Sequence, residues 1–98
     1  SAAQIAAAYR ASRSLGRPSA LLVVQPPPAS TALDPAVVES AVAHALESAR
    51  AAGVRGAAVT PFLLAAVERE TGGRSLATNL ALLESNAALA AEIAVALH

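Results

Sequence analysis

The chain has no cysteine, no methionine, no tryptophan and no lysine, and all seven of its basic residues are arginine. Without cysteine there is no disulfide framework, although this says nothing about the compartment. Aromatic residues are reduced to one Phe and one Tyr, and charged residues make up only 14% of the 98 positions. Arginines and acids are scattered along the chain and sum to a formal net charge of zero. There is therefore no basic stripe for nucleic acid and no polybasic arm for a membrane. No signal peptide is visible at the N-terminus, and a cytoplasmic location is expected. A chain that starts at Ser1 and lacks methionine is expected to be a piece of a longer protein.

What is present is alanine. It fills 28 of the 98 positions, and hydrophobic residues reach 55%, which rules out a disordered chain. Alanine buries roughly a third or less of the surface that leucine buries, so a core built from it is thin. One small domain is the most that this length allows. With so few large side chains, residues 1–98 are expected not to form an independent domain.

Residues 2–15 read as a helix, with Ile5, Ala8 and Leu15 on one side and Gly16 closing it. The run from Ser19 to Gln25 is apolar and β-branched, bounded by Pro18 and by Pro26-Pro27-Pro28. Such a run predicts a short strand buried on both faces, as in a parallel sheet. The prolines cannot donate to a ladder, so they end the strand and stiffen its exit. Asp34-Pro35 predicts an N-cap and first helical position, with a helix to about Ala52 ending at Gly53. Arg55–Val59 reads as a second short strand, and Thr60-Pro61 as another cap-plus-proline start for a helix to about Glu70. Gly72-Gly73 then breaks the chain and Ser75 caps a final apolar helix.

One or two strands cannot make a stable parallel sheet without neighbours and covered faces. The predicted fold class is therefore α/β: a helix-rich segment that contributes one or two strands to a sheet completed elsewhere. The run from Leu76 to Leu97 is long enough to span a membrane but contains Thr78, Asn79, Glu84, Ser85, Asn86 and Glu92. That polarity predicts a buried core helix instead.

Leu76, Leu80, Leu83, Ala87, Ala90, Ala94 and Leu97 form one stripe of this helix. Asn79 and Asn86, seven residues apart, stack on one side within the apolar arc. A buried amide without partners costs a few kcal/mol, so something must bond to it. Asn79 is either a structural amide bonded to a loop or a residue that faces a ligand. Its adjacent donor and acceptor suit the imide or amide edge of a heterocycle. Gly72-Gly73, just before a helix N-terminus, either admits an anion or only turns one helix into the next. Thr60 reads as a cap, His98 as a frayed terminus, and His44 and Glu47, three apart on one helix and within reach of each other, as solvated or packing residues. Two residues make no metal site. No Ser-His-Asp set, Walker loop or dinucleotide fingerprint is present.

Val59-Thr60-Pro61-Phe62-Leu63-Leu64, Thr71-Gly72-Gly73-Arg74-Ser75-Leu76, Asn79-Leu80-Ala81-Leu82 and the run from Asn86 to Ala94 together resemble the C-terminal third of pseudouridine-5'-phosphate glycosidases. The opening helix, Leu15-Gly16, the Leu21–Val24 run and Gly53-Val54-Arg55-Gly56 fit the same register. The resemblance implies an αβα layered enzyme, usually a homotrimer. Its reaction makes or breaks the C–C bond between ribose 5-phosphate and an aromatic ring. No oxygen leaves in such a cleavage, so an electron sink is needed, and the resemblance implies a lysine imine on the ring-opened sugar. It also implies a divalent metal, usually manganese, held by an acidic residue. With no lysine here, the imine-forming residue must lie outside this chain, as must the metal ligand. Asn79 is the one position that the resemblance implies to contact the base.

The sequence departs from the family at Gln25-Pro26-Pro27-Pro28, where Asn-Pro-x-Pro is usual, and at Gly56-Ala57, where Gly-Lys is usual. Glu84-Ser85-Asn86 stands for Lys-Asn-Asn, and Ser19-Ala20 for a glycine pair. Three functions follow. The first is a pseudouridine 5'-phosphate C-glycosidase segment, inactive alone. The second is a C-ribosyl synthase that joins ribose 5-phosphate to another aglycone in natural-product biosynthesis. The third, of another class, is a non-catalytic helical interaction module in which Asn79 is structural. A reactive Lys and a metal-binding Asp upstream would separate the first two from the third.

Overall fold

The computed structural model describes all residues, Ser1 to His98. It contains four α-helices, α1 (Ala2–Ser14), α2 (Pro35–Ala51), α3 (Val59–Glu70) and α4 (Arg74–Leu97), with one 3-10 turn at Gly56–Ala58 and no β-strand. The residues divide into two compact units, one of 1–26 with 82–98 and the other of 27–81. Helix α4 contributes its first residues to the second unit and the rest to the first.

In the unit of residues 27–81, α2 begins as its sequence dictates: the Asp34 carboxylate accepts from the Ala36 N–H at 2.9 Å, and Pro35 follows in the first turn. It ends at the C-cap Ala52, before Gly53. Helices α2 and α3 pack against each other. Ala41, Ala45 and Ala49 recur every four residues along α2 and are buried, as is Ala66 of α3. That spacing makes one stripe, and its small side chains let the helices approach closely.

In the unit of residues 1–26 and 82–98, α1 closes at Leu15, with Gly16 beyond it. The Arg10 guanidinium donates to the Ala96 carbonyl at 2.7 Å. It supplies one of the last α4 carbonyls, which has no intrahelical partner, with a cationic donor. Arg13 lies over the Tyr9 ring, 5.0 Å from its centroid, and its Nε donates to the Tyr9 hydroxyl at 3.0 Å. The core is thin throughout. Every buried hydrophobic residue is alanine, and no large side chain is fully enclosed.

Neither predicted strand forms here. Ser19–Gln25 has no regular structure, with Leu22 90% and Val24 79% exposed. A ladder needs a neighbouring strand to take its N–H and C=O groups, and residues 1–98 supply none. Only Arg55 of the run Arg55–Val59 is extended: Gly56, with φ of +63°, breaks the run, Gly56–Ala58 form the 3-10 turn, and α3 already begins at Val59. Thr60 is consequently not a cap. It lies inside the first turn after the N-cap Ala58, and no side chain caps that end. Pro61 is tolerated there because first-turn N–H groups lack intrahelical acceptors. Helix α4 has no buried residue, and Leu80 and Leu83 are each 56% exposed. The enclosure expected of a core helix is thus not supplied by this chain. Its 24 residues, with a mean hydropathy of 1.6 over the most apolar 18-residue stretch, would also suit a membrane span by length and composition.

Candidate functional site

The joint between α3 and α4 positions the site. Thr71 is the one buried polar residue, 5% exposed. Its hydroxyl donates to the Val67 carbonyl at 2.8 Å and accepts from the Ser75 N–H at 3.0 Å. The α4 cap therefore belongs to Thr71 and not to Ser75, which already lies within the helix. Behind it, the Gly73 N–H reaches the Glu68 carbonyl at 2.9 Å and the Gly72 N–H reaches Arg69 at 3.3 Å. This pair of bonds is a Schellman closure, which requires a left-handed residue. Gly72 supplies it with φ of +61°. The Arg74 N–H is taken by the Thr71 carbonyl at 3.2 Å. Four successive N–H groups, from Gly72 to Ser75, are therefore already bonded. The glycine pair terminates one helix and opens the next; it leaves no anion cradle.

A cavity of about 370 Å³ lies beside this joint. Leu63, Leu64 and Val67 of α3 give it an apolar wall, and Val42 of α2 and Leu76 of α4 extend it. Glu68, Ser75 and Asn79 are its polar lining residues. Ser75 and Asn79 are one helical turn apart, as are Leu64 and Glu68, so each helix turns one face towards the cavity. Asn79 is exposed and its amide has no protein partner. The structural account, an amide bonded to a neighbouring loop, is therefore not what this chain shows. That role falls to the adjacent Thr78, whose hydroxyl bonds the Thr31 carbonyl and also the Arg74 carbonyl of its own helix.

Asn86 behaves differently. Its Oδ1 accepts from Gln25 Nε2 at 2.8 Å, and Gln25 also reaches Ser85 Oγ at 3.2 Å. His44 does not pair with Glu47. Its Nδ1 stands 3.3 Å from the Glu70 carboxylate, joining α2 to α3 at the surface. His98 is exposed at the end of the chain. No three His, Asp or Glu side chains converge anywhere in the 98 residues. Glu68 and Ser75 escaped sequence reasoning as cavity residues. The available signal was their spacing, one turn after Leu64 and one turn before Asn79.

Residues 1–96 match the family described as "Indigoidine synthase A like protein". The chain is 61% identical over 94 residues to a pseudouridine-5'-phosphate glycosidase of Gemmatimonas aurantiaca, covering 96% of this chain and 31% of that one. It is 56% identical to a protein of the same name from Herpetosiphon aurantiacus, with the same coverage. The chain thus spans about a third of the length of the curated relatives it matches. Among solved structures it is similar to the prealnumycin C-glycosynthase AlnA, crystallised in complex with ribulose 5-phosphate. The TM-score is 0.83 at 34% identity, over 99% of this chain and 32% of that one.

Proposed function

Because the chain belongs to the Indigoidine synthase A like protein family, we propose that it is the C-terminal segment of a C-glycosidase acting on pseudouridine 5'-phosphate. The observation that carries this reading is the 61% identity to a pseudouridine-5'-phosphate glycosidase across nearly the whole chain. In the proposed reaction the C–C bond between the sugar C1' and the pyrimidine ring carbon is replaced by a C–H bond on the ring. Water supplies the atoms that complete uracil and ribose 5-phosphate. The ring carbon keeps the electron pair of the broken bond and takes a proton. A lysine amine bonded to C1' of the ring-opened sugar supplies its lone pair and leaves that carbon as an imine, which water hydrolyses to ribose 5-phosphate. No lysine occurs in these residues, so the amine belongs to the rest of the protein.

The contribution of this segment is recognition. Asn79 offers an unengaged donor and acceptor at the edge of an apolar cavity, the complement of an imide edge. Manganese is proposed to be held by an acidic residue elsewhere in the parent protein. Ser19–Gln25 is proposed to enter a sheet supplied by the remaining chain, and the apolar stripe of α4 to be covered there. A cytoplasmic homotrimer completes the proposal.

A second reading, C-ribosyl synthesis on another aglycone, is favoured by the likeness to AlnA. Incubating the full-length protein with pseudouridine 5'-phosphate and Mn²⁺ while following uracil and ribose 5-phosphate separates the two. Release of both products supports the glycosidase. A folded protein that releases neither contradicts it and leaves the synthase reading.

A further inference from the structure

We propose that Glu68 is a specificity-determining residue that accepts the second ring N–H of a carbon-linked pyrimidine, so that the site distinguishes C-nucleotides from N-nucleotides. This rests on the reading that the parent protein acts on pseudouridine 5'-phosphate, and it assigns how the ring is told apart from its nitrogen-linked isomer.

Glu68 lines the same cavity as Asn79, one turn after Leu64 on α3. It is half-buried beside Leu64 and Val67. It has no cationic partner: the one ion pair of the chain joins His44 to Glu70. The nearest arginine in sequence on α4, Arg74, turns its Nε to the Thr71 carbonyl at 3.4 Å. An ionised carboxylate only accepts hydrogen bonds, and one half-removed from water beside apolar side chains gains from a donor placed against it.

The chemistry of the ring supplies that donor. A uracil joined to the sugar through carbon keeps two ring N–H groups, whereas one joined through nitrogen keeps only one. The imide N–H and its neighbouring carbonyl are matched by the donor–acceptor pair of Asn79. The remaining N–H exists only in the carbon-linked isomer, and only an acceptor can use it. A carboxylate there forms a charge-assisted bond. With an N-linked ring, the same carboxylate would lose water and gain nothing, so the wrong isomer is rejected by an unpaired acceptor. The cavity volume of about 370 Å³ lies in the usual range for small-molecule sites and exceeds one pyrimidine ring.

The test uses the full-length protein and two substrates, pseudouridine 5'-phosphate and its N1-methyl derivative, which stays carbon-linked but lacks the second N–H. In the wild type, KM for the methyl derivative should be higher by about tenfold or more. Glu68→Ala should raise KM for the parent substrate by about tenfold, leave kcat within about threefold, and abolish the preference between the two. Glu68→Gln, which retains an acceptor, should fall between. If Glu68→Ala does not fold, the wild-type ratio and the Gln variant decide.

The inference is overturned if the wild type treats both substrates alike, or if Glu68→Ala keeps the wild-type preference while still releasing uracil. If the wild type releases no uracil from the parent substrate, the glycosidase reading fails and this assignment falls with it. The two failures are distinguished by whether uracil is formed.

Discussion

Asn79 and Asn86 stand seven residues apart on one helix, yet they meet opposite circumstances. In the unit of residues 1–26 and 82–98, the Asn86 amide is engaged by Gln25. In the unit of residues 27–81, the Asn79 amide lines a cavity and bonds to nothing in the chain. The same residue type at the same helical phase is thus structural in one unit and available in the other. A polar residue in an apolar helix is not by itself a functional signal. What distinguishes the two is whether the fold has already used the donor and acceptor.

The largest expected effect follows from this contrast. In the full-length protein, Asn79→Ala should lower kcat/KM for uracil release by about tenfold to a hundredfold while leaving thermal unfolding unchanged. Unchanged kinetics would remove Asn79 from the site. Next comes the joint beside it. Thr71→Val deletes the hydroxyl that caps α4 and should cost about 1–2 kcal/mol in denaturant unfolding. Thr71→Ser should recover most of that loss, and equal damage from both variants would show that the methyl group matters more than the hydroxyl. Asn86→Ala should cost about 1 kcal/mol or less and leave KM in place. A KM effect as large as that of Asn79→Ala would erase the contrast. The smallest effect is expected at His44, whose pairing with Glu70 is exposed to solvent. His44→Ala should change stability by no more than about 0.5 kcal/mol.

The features legible in the sequence were the local ones. Asp34-Pro35 announced a helix start because cap and proline act within one turn, and Gly16, Gly53 and Gly72 announced ends because a left-handed residue closes a helix. The candidate site was half legible. Asn79 stood out as an amide among leucines, but Glu68 on a charged stretch of α3 did not, because its neighbours across the cavity come from another helix. The pairing of His44 with Glu70, 26 residues away, was invisible for the same reason. Arg55–Val59 was misread because a short run ending in valine fits either a strand or a first helical turn, and the Gly56 backbone decides it. Ser19–Gln25 has the composition of a strand, but pairing is a property of two segments, and these residues hold one.

The most direct test of the central claim is the affinity for uracil alone, measured by calorimetric titration of the full-length wild type, Asn79→Ala and Asn86→Ala. Asn79→Ala should weaken binding by about tenfold or more, while Asn86→Ala stays within about twofold of the wild type. Wild-type affinity in Asn79→Ala, or equal weakening in both variants, would contradict the assignment of Asn79 to the base.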